Sequence, residues 1–206
     1  MAVASPGPAE VISRVATPDT LFPPGADIGM FNKFGVEAVV AYRRQGQECE
    51  RRARAGMARL DRLHVLELLM NLPLGEPVER ASLSDREKRV LRQVPSGALM
   101  RHVGAIVREA THPLYVDLAV VPGGSWAAAK EKAEWFTPFC ARAVMVDRPL
   151  RRRDDAVMEA VFYGIGLLVA TGRDVEVVVP PRPFVRRRHT AAGWQFLEEA
   201  YDQLCR

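Results

Sequence analysis

The sequence is poor in the residues that most often announce a catalytic or metal centre. Its three cysteines, Cys49, Cys140 and Cys205, form no CxxC pair and no cysteine–histidine cluster, so neither a disulfide framework nor a zinc site is expected. Its four histidines, His64, His102, His112 and His189, are scattered along the chain. No Walker loop, GxGxxG fingerprint or GxSxG elbow occurs. Aromatic residues are only 7% of the chain. Few of them lie near basic residues, which argues against reading single strands by base stacking. No long hydrophobic run exists either: the longest, residues 156–170, is interrupted by Glu159 and falls short of a bilayer span. The first ten residues lack the basic and apolar regions of a secretory leader. A cytoplasmic location without a membrane partner is therefore the expectation.

What is present is an ordinary globular composition. At 206 residues, 48% hydrophobic and 26% charged, the chain can bury one good core or two small ones. Twenty-nine basic residues against 25 acidic give a net charge of +4. Residues 1–94 carry 14 basic and 12 acidic groups and residues 95–206 carry 15 and 13, so neither half is a basic domain. Arginine runs do rise above this background: Arg43, Arg44, Arg51, Arg52, Arg54, Arg59 and Arg62, then Arg151, Arg152 and Arg153, then Arg182, Arg186, Arg187 and Arg188. The guanidinium fork suits phosphate and carboxylate, although a GC-rich coding bias accounts for much arginine of this kind.

Proline, glycine and small residues dominate residues 1–30, which reads as a loose arm. Residues 31–72 favour helix, with Met57, Leu60, Leu63, Leu66, Leu69 and Met70 at helical spacing. After a linker at Pro73, Gly75 and Pro77, Ser84 and Glu87 have the spacing of a capping box. A second helix is expected over residues 97–110. Together these make residues 31–110 a helical region. Residues 111–206 alternate strand and helix: strands at 114–121, 141–146 and 175–179, helices at 126–136, 154–171 and 190–205. That order predicts an α/β domain with a small parallel three-stranded sheet and flanking helices, the helix at 154–171 being central. The alternative is that residues 31–206 pack as one unit.

In a parallel sheet, ligands sit beyond the carboxyl ends of the strands. There the sequence places Gly123, Gly124 and Ser125, a glycine turn entering a helix, with Asp147 and Arg148 after the second strand and Arg182 after the third. Exposed amides and guanidinium groups would form an anion cradle; a tight turn with its usual cap is the plainer reading. Asp117 and Asp147 are the carboxylates available for acid–base work or a magnesium ion. The nuclease pattern of a strand acid followed by Glu-x-Lys is not met, since Glu131 is followed by Lys132 in a helix. No cofactor is identified.

Residues 83–97, LSDREKRVLRQVPSG, resemble the opening of the helix-turn-helix of LuxR-type response regulators. The resemblance covers about a dozen residues, and the chain departs from the family afterwards. It implies a DNA-binding second helix carrying Arg101 and Arg108 toward phosphates or base edges. The first expectation for function is a polyanion-binding protein, with nucleic acid as partner and Arg151, Arg152, Arg153, Arg186, Arg187 and Arg188 as contacts. The alternatives are a small enzyme acting on a phosphorylated or carboxylated metabolite at the strand ends, and a non-catalytic scaffold that forms homo-oligomers.

Overall fold

The computed structural model describes residues 21–147, 150, 152–171 and 174–205. In chain order its elements are β1 (Asp27–Lys33), β2 (Val36–Arg44), α1 (Gly46–Ala55), α2 (Leu63–Asn71), β3 (Pro77–Glu79), a 3-10 turn (Arg80–Ser82), α3 (Asp85–Leu91), β4 (Leu99–Arg101), β5 (Ala105–Arg108), β6 (Leu114–Gly123), α4 (Trp126–Glu134), β7 (Ala141–Val146), α5 (Arg153–Tyr163), β8 (Gly166–Thr171), β9 (Asp174–Val179) and α6 (Ala191–Cys205). They divide into two units: Met1–Arg43 with Val116–Arg186, and Arg44–Tyr115 with Arg187–Arg206. Most of the N-terminal arm expected at residues 1–30 lies outside the described residues.

The first unit is built on a six-stranded mixed sheet in the order β1-β2-β6-β7-β8-β9. Strands β6, β7 and β8 are parallel, while β1–β2 and β8–β9 pair antiparallel at the two edges. This overturns the expected small parallel three-stranded sheet preceded by a helical region. Three local causes account for the difference.

Residues 31–44 are strand, not helix. Val36, Ala38, Val39, Val40, Ala41 and Tyr42 are all buried, because β2 is an interior strand covered on both faces. Such a strand shows none of the alternation that would mark it in sequence. Phe34 and Gly35 both take positive φ, 58° and 74°, between the paired Lys33 and Val36, which is the two-residue turn whose twist suits a hairpin.

The apolar run 154–171 is not one helix. Its first part is α5, which stops at Gly164 in the left-handed conformation (φ 67°), where its N–H reaches the carbonyls of Ala160 and Val161. The rest becomes β8, with Leu167 and Leu168 fully buried. A Cβ on Gly166 would come within 2.8 Å of that of Ala143, so only glycine lets β8 lie this close to β7. The helix expected at the centre is therefore a surface helix. Finally, β9 returns antiparallel to β8, which sends its C-terminal end to the opposite rim from those of β6 and β7.

The second unit pairs a three-stranded antiparallel sheet, order β3-β5-β4, with α1, α2, α3 and α6. The capping box is present: the Glu87 amide donates to Ser84 Oγ at 3.3 Å and the Ser84 amide donates to Glu87 Oε2 at 2.8 Å. The helix expected at 97–110 is instead the β4–β5 hairpin, so the second helix of the helix-turn-helix resemblance is absent. Leu60, Leu66, Leu69, Leu91, Ile106 and Trp194 form the core.

Within that core sits an ion network. Arg52, 2% exposed, donates to Glu48 Oε1 at 2.6 Å, to Glu198 Oε1 and Oε2 at 2.6 and 2.8 Å, and to the Thr111 carbonyl at 2.8 Å. Glu198, fully buried, also accepts from Trp194 Nε1 at 2.9 Å and from the Leu60 amide at 3.2 Å. Burial alone would push the Arg52 guanidinium down. Its hydrogen bonds and charge pairing with Glu198 and Glu48 outweigh that and hold it above its usual value.

Candidate functional site

Gly123, Gly124 and Ser125 end β6 and open α4 as expected, and Asp147 follows β7 at the same rim. A cavity of about 600 Å³ opens there between α4 and α5, lined by Gly124, Ser125, Trp126, Arg152, Asp155 and Glu159 among others. Ser125 holds the N-cap position in extended conformation, but its hydroxyl makes no capping hydrogen bond. The charged groups on the wall are two carboxylates and one guanidinium, and Arg152 lies 3.8 Å from Asp155. Glu159 accepts from Lys130 Nζ at 2.7 Å and from Trp126 Nε1 at 3.0 Å, and these donors hold its carboxyl below the ordinary range. That lining gives an anion little net attraction.

The other expected members of the rim are elsewhere. Arg148 lies outside the described residues. Arg182 is at the opposite rim, packed over Gly164 ahead of β8 and donating to the Val161 carbonyl at 3.3 Å. Asp117 sits in β6, six residues before Gly123, so it is roughly 20 Å along the sheet from Asp147 at about 3.3 Å per residue. It is also committed: Arg43 grips it with both arms, Nε to Oδ2 at 2.8 Å and Nη2 to Oδ1 at 2.6 Å. The two aspartates therefore do not form one centre. Cys140 is no nucleophile, since complete burial pushes its thiol up to about 12.

The two glycines of the turn differ. A Cβ on Gly123 would approach that of Ala129 in α4 to 2.6 Å, whereas one on Gly124 would meet nothing within 4 Å. Gly123→Ala is thus expected to destabilise the first unit by about 1–3 kcal/mol through overpacking. Gly124→Ala should stay within about 0.5 kcal/mol of the parent. Paired urea melts read the contrast, and equal midpoints for the two variants would refute this packing of α4 on β6.

The arginine runs are sorted by the fold into paired and unpaired groups. Arg51 joins Glu48, Arg59 reaches Asp202 at 3.3 Å, and Arg153 bonds Glu176. Arg186 donates to the Phe139 carbonyl at 3.0 Å and lies over the Phe184 ring. Arg108 is turned inward, donating to the carbonyls of Leu69, Leu72 and Ala110 beneath the Trp194 ring, and burial lowers its pKa. Arg187 and Arg188 are exposed, and Arg151 is outside the described residues. No known protein family, curated protein or solved structure matches the chain.

A concentration of positive charge appears where the sequence shows no run. The first unit has 13 basic and 13 acidic residues; the second has 16 and 12, and so carries the whole net charge. Residues 80–104 alone hold six basic residues against two acidic. Arg80, Arg86, Arg89, Arg92 and Arg101 are exposed, and none has a carboxylate partner among the described residues. The fold joins them. The Arg80 amide donates to the Gly104 carbonyl at 2.8 Å, tying the 3-10 turn to the tip of the β4–β5 hairpin. Arg101 Nη2 donates to the Leu91 carbonyl at 3.0 Å, tying β4 to the end of α3. Arg62 reaches Gln93, next to Arg92, at 3.0 Å. At the hairpin tip His102 is exposed and Val103 is wholly so. Of the five, Arg101 was named from the sequence, but on a second helix that is absent; the other four were missed because no two of the arginines adjoin in sequence, and only a net charge summed over residues 80–104 would have flagged them.

Among the described residues no group of three or more acidic, histidine or cysteine side chains could hold a metal ion, and no helix is long and apolar enough to cross a membrane.

Proposed function

We propose that the chain binds nucleic acid through the basic face formed by the 3-10 turn, α3 and the β4–β5 hairpin. The observation that carries this reading is the set of five exposed arginines without carboxylate partners, drawn together by the contacts of Arg80 with Gly104 and of Arg101 with Leu91. Elsewhere arginines are largely spent on Asp117, Glu48, Glu198, Asp202 and Glu176. A guanidinium without a carboxylate partner keeps donors for phosphate oxygens, even where, as in Arg89 and Arg101, one nitrogen bonds a carbonyl. A helix beside a two-stranded ribbon is also the kind of element a duplex groove admits. Arg187 and Arg188, in the same unit, add to its positive field.

The contacts expected are mainly to the backbone, and therefore dependent on salt. If the five arginines each meet a phosphate, the logarithm of the binding constant for duplex DNA should fall with the logarithm of salt concentration at a slope of about −4 to −5. Fluorescence anisotropy of a labelled duplex across a salt series measures it. A slope near zero, or no binding at low salt, would rule the reading out.

A further inference from the structure

Helix α5 presents an apolar face to solvent. Ala156 and Ala160 are buried against the first unit, whereas Met158, Val161 and Phe162 are 66%, 57% and 76% exposed. Together with Asp154 these exposed residues fall at i, i+4, i+7 and i+8, which is the spacing of one helical face. Scattered exposed apolar residues are ordinary on a protein surface; three large ones on adjoining turns mark an interaction site.

The charges at the two ends of this face are opposite in sign. Arg153, Asp154 and Asp155 open the helix; Arg153 pairs with Glu176 and Asp155 lies 3.8 Å from Arg152, which among the described residues leaves the Asp154 carboxylate as the unpaired charge at that end. At the far end Arg142 Nη2 donates to the Tyr163 carbonyl at 3.0 Å and Arg182 Nη2 to the Val161 carbonyl at 3.3 Å. Neither Asp154 nor Arg182 has an oppositely charged partner among the described residues. A face with an unpaired carboxylate at its start, an apolar middle and an unpaired guanidinium at its end is complementary to itself turned end for end.

We infer that α5 is the interface of a homodimer in which the helices of two copies pack antiparallel about a two-fold axis. With the axis passing between Glu159 and Ala160, Met158 of one copy lies level with Val161 of the other. Asp154 then stands opposite the end of the helix, where the partner's Arg182 lies. The contact is isologous, so each ion pair occurs twice and the assembly closes at two chains. The helix dipoles also run in opposite senses. The interface uses only the first unit and does not depend on the nucleic-acid reading.

Sedimentation velocity of the full chain at low and high micromolar concentration should show conversion to a species of twice 22.9 kDa. Phe162→Asp should leave a monomer whose unfolding midpoint equals the parent's at a dilution where the parent is also monomeric, since the side chain is largely exposed in a single chain. Arg182→Asp should weaken dimerisation about tenfold or more, because it places two like-charged pairs at the interface, and adding Asp154→Arg to it should restore the dimer. A parent chain that stays monomeric at high concentration would overturn the inference. So would a dimer indifferent to Phe162→Asp, or a charge swap that restores nothing.

Discussion

Arg52→Ala is expected to cost the second unit about 3–5 kcal/mol, the loss typical when one partner of a buried ion pair is removed. A domain has only about 5–15 kcal/mol in all, so the variant should be near unfolding. The size follows from what is left behind. Without the guanidinium, Glu48 keeps Arg51, but the fully buried Glu198 is left without its cation in a core of leucine and tryptophan. Trp194 Nε1 and the Leu60 amide still donate to Glu198, but neutral donors do not cancel its charge. Arg52→Lys should recover only part of the loss, because one ammonium cannot reach Glu48, both oxygens of Glu198 and the Thr111 carbonyl together.

The network also has a pH signature. Burial raises the Glu48 carboxyl, but the hydrogen bonds and charges of Arg51 and Arg52 outweigh it, so its folded value lies below the ordinary 4.5. A carboxylate with a lowered folded value contributes stability that is complete above 4.5 and is lost as pH falls through the folded value. The parent should therefore weaken below about pH 4.5, and Arg52→Ala should show a shallower acid limb. Urea unfolding at several pH values, with hydrogen exchange over residues 57–72 to isolate this unit, reads both effects. A variant within about 1 kcal/mol of the parent would show that the core does not rest on this network.

The second large effect is on binding. Arg80, Arg89 and Arg92 make no side-chain hydrogen bond or ion pair beyond their own helix or turn among the described residues; Arg89 Nε donates to the Asp85 carbonyl at 3.2 Å within α3. Replacing all three by alanine should leave stability almost unchanged, as exposed substitutions do. If each meets a phosphate, the salt slope should become shallower by about 3. Affinity for a duplex at low salt should fall about a hundredfold or more, which is about fivefold for each of the three contacts. The double variant Arg152→Ala/Arg153→Ala removes a run that is conspicuous in sequence, yet those side chains pair with Asp155 and Glu176, so binding should hardly change.

That contrast marks how far the sequence could be read. Elements that carry their own punctuation were legible: the Ser84–Glu87 box starts α3, and the valine-rich segments at β6, β7 and β9 are strands. Where a segment's state is set by what covers it, reading failed. Strand β2 is buried on both faces and β8 continues an apolar run without a break in polarity, so neither shows a period of two. Gly164 and Gly166 marked the break between α5 and β8, but a glycine in an apolar run reads equally as close helix packing. The direction of β9 is a property of pairing, which no residue within it records, and this is why Arg182 left the expected rim.

For the site, adjacency in sequence misled. The densest arginine run includes Arg52, whose carboxylate partner Glu198 lies 146 residues away and which is 2% exposed. The exposed arginines are spread from Arg80 to Arg101 on elements that contact one another, the turn meeting the hairpin tip and β4 the end of α3.

The most direct test of that face is a duplex titration, followed by anisotropy across a salt series, of the parent beside Arg80→Ala/Arg89→Ala/Arg92→Ala. The expected result is strongly salt-sensitive binding by the parent, and weaker binding with a slope of only about −1 to −2 from a variant with the parent's unfolding midpoint. Equal affinity and equal slope for the two proteins would contradict the assignment of nucleic-acid binding to this surface.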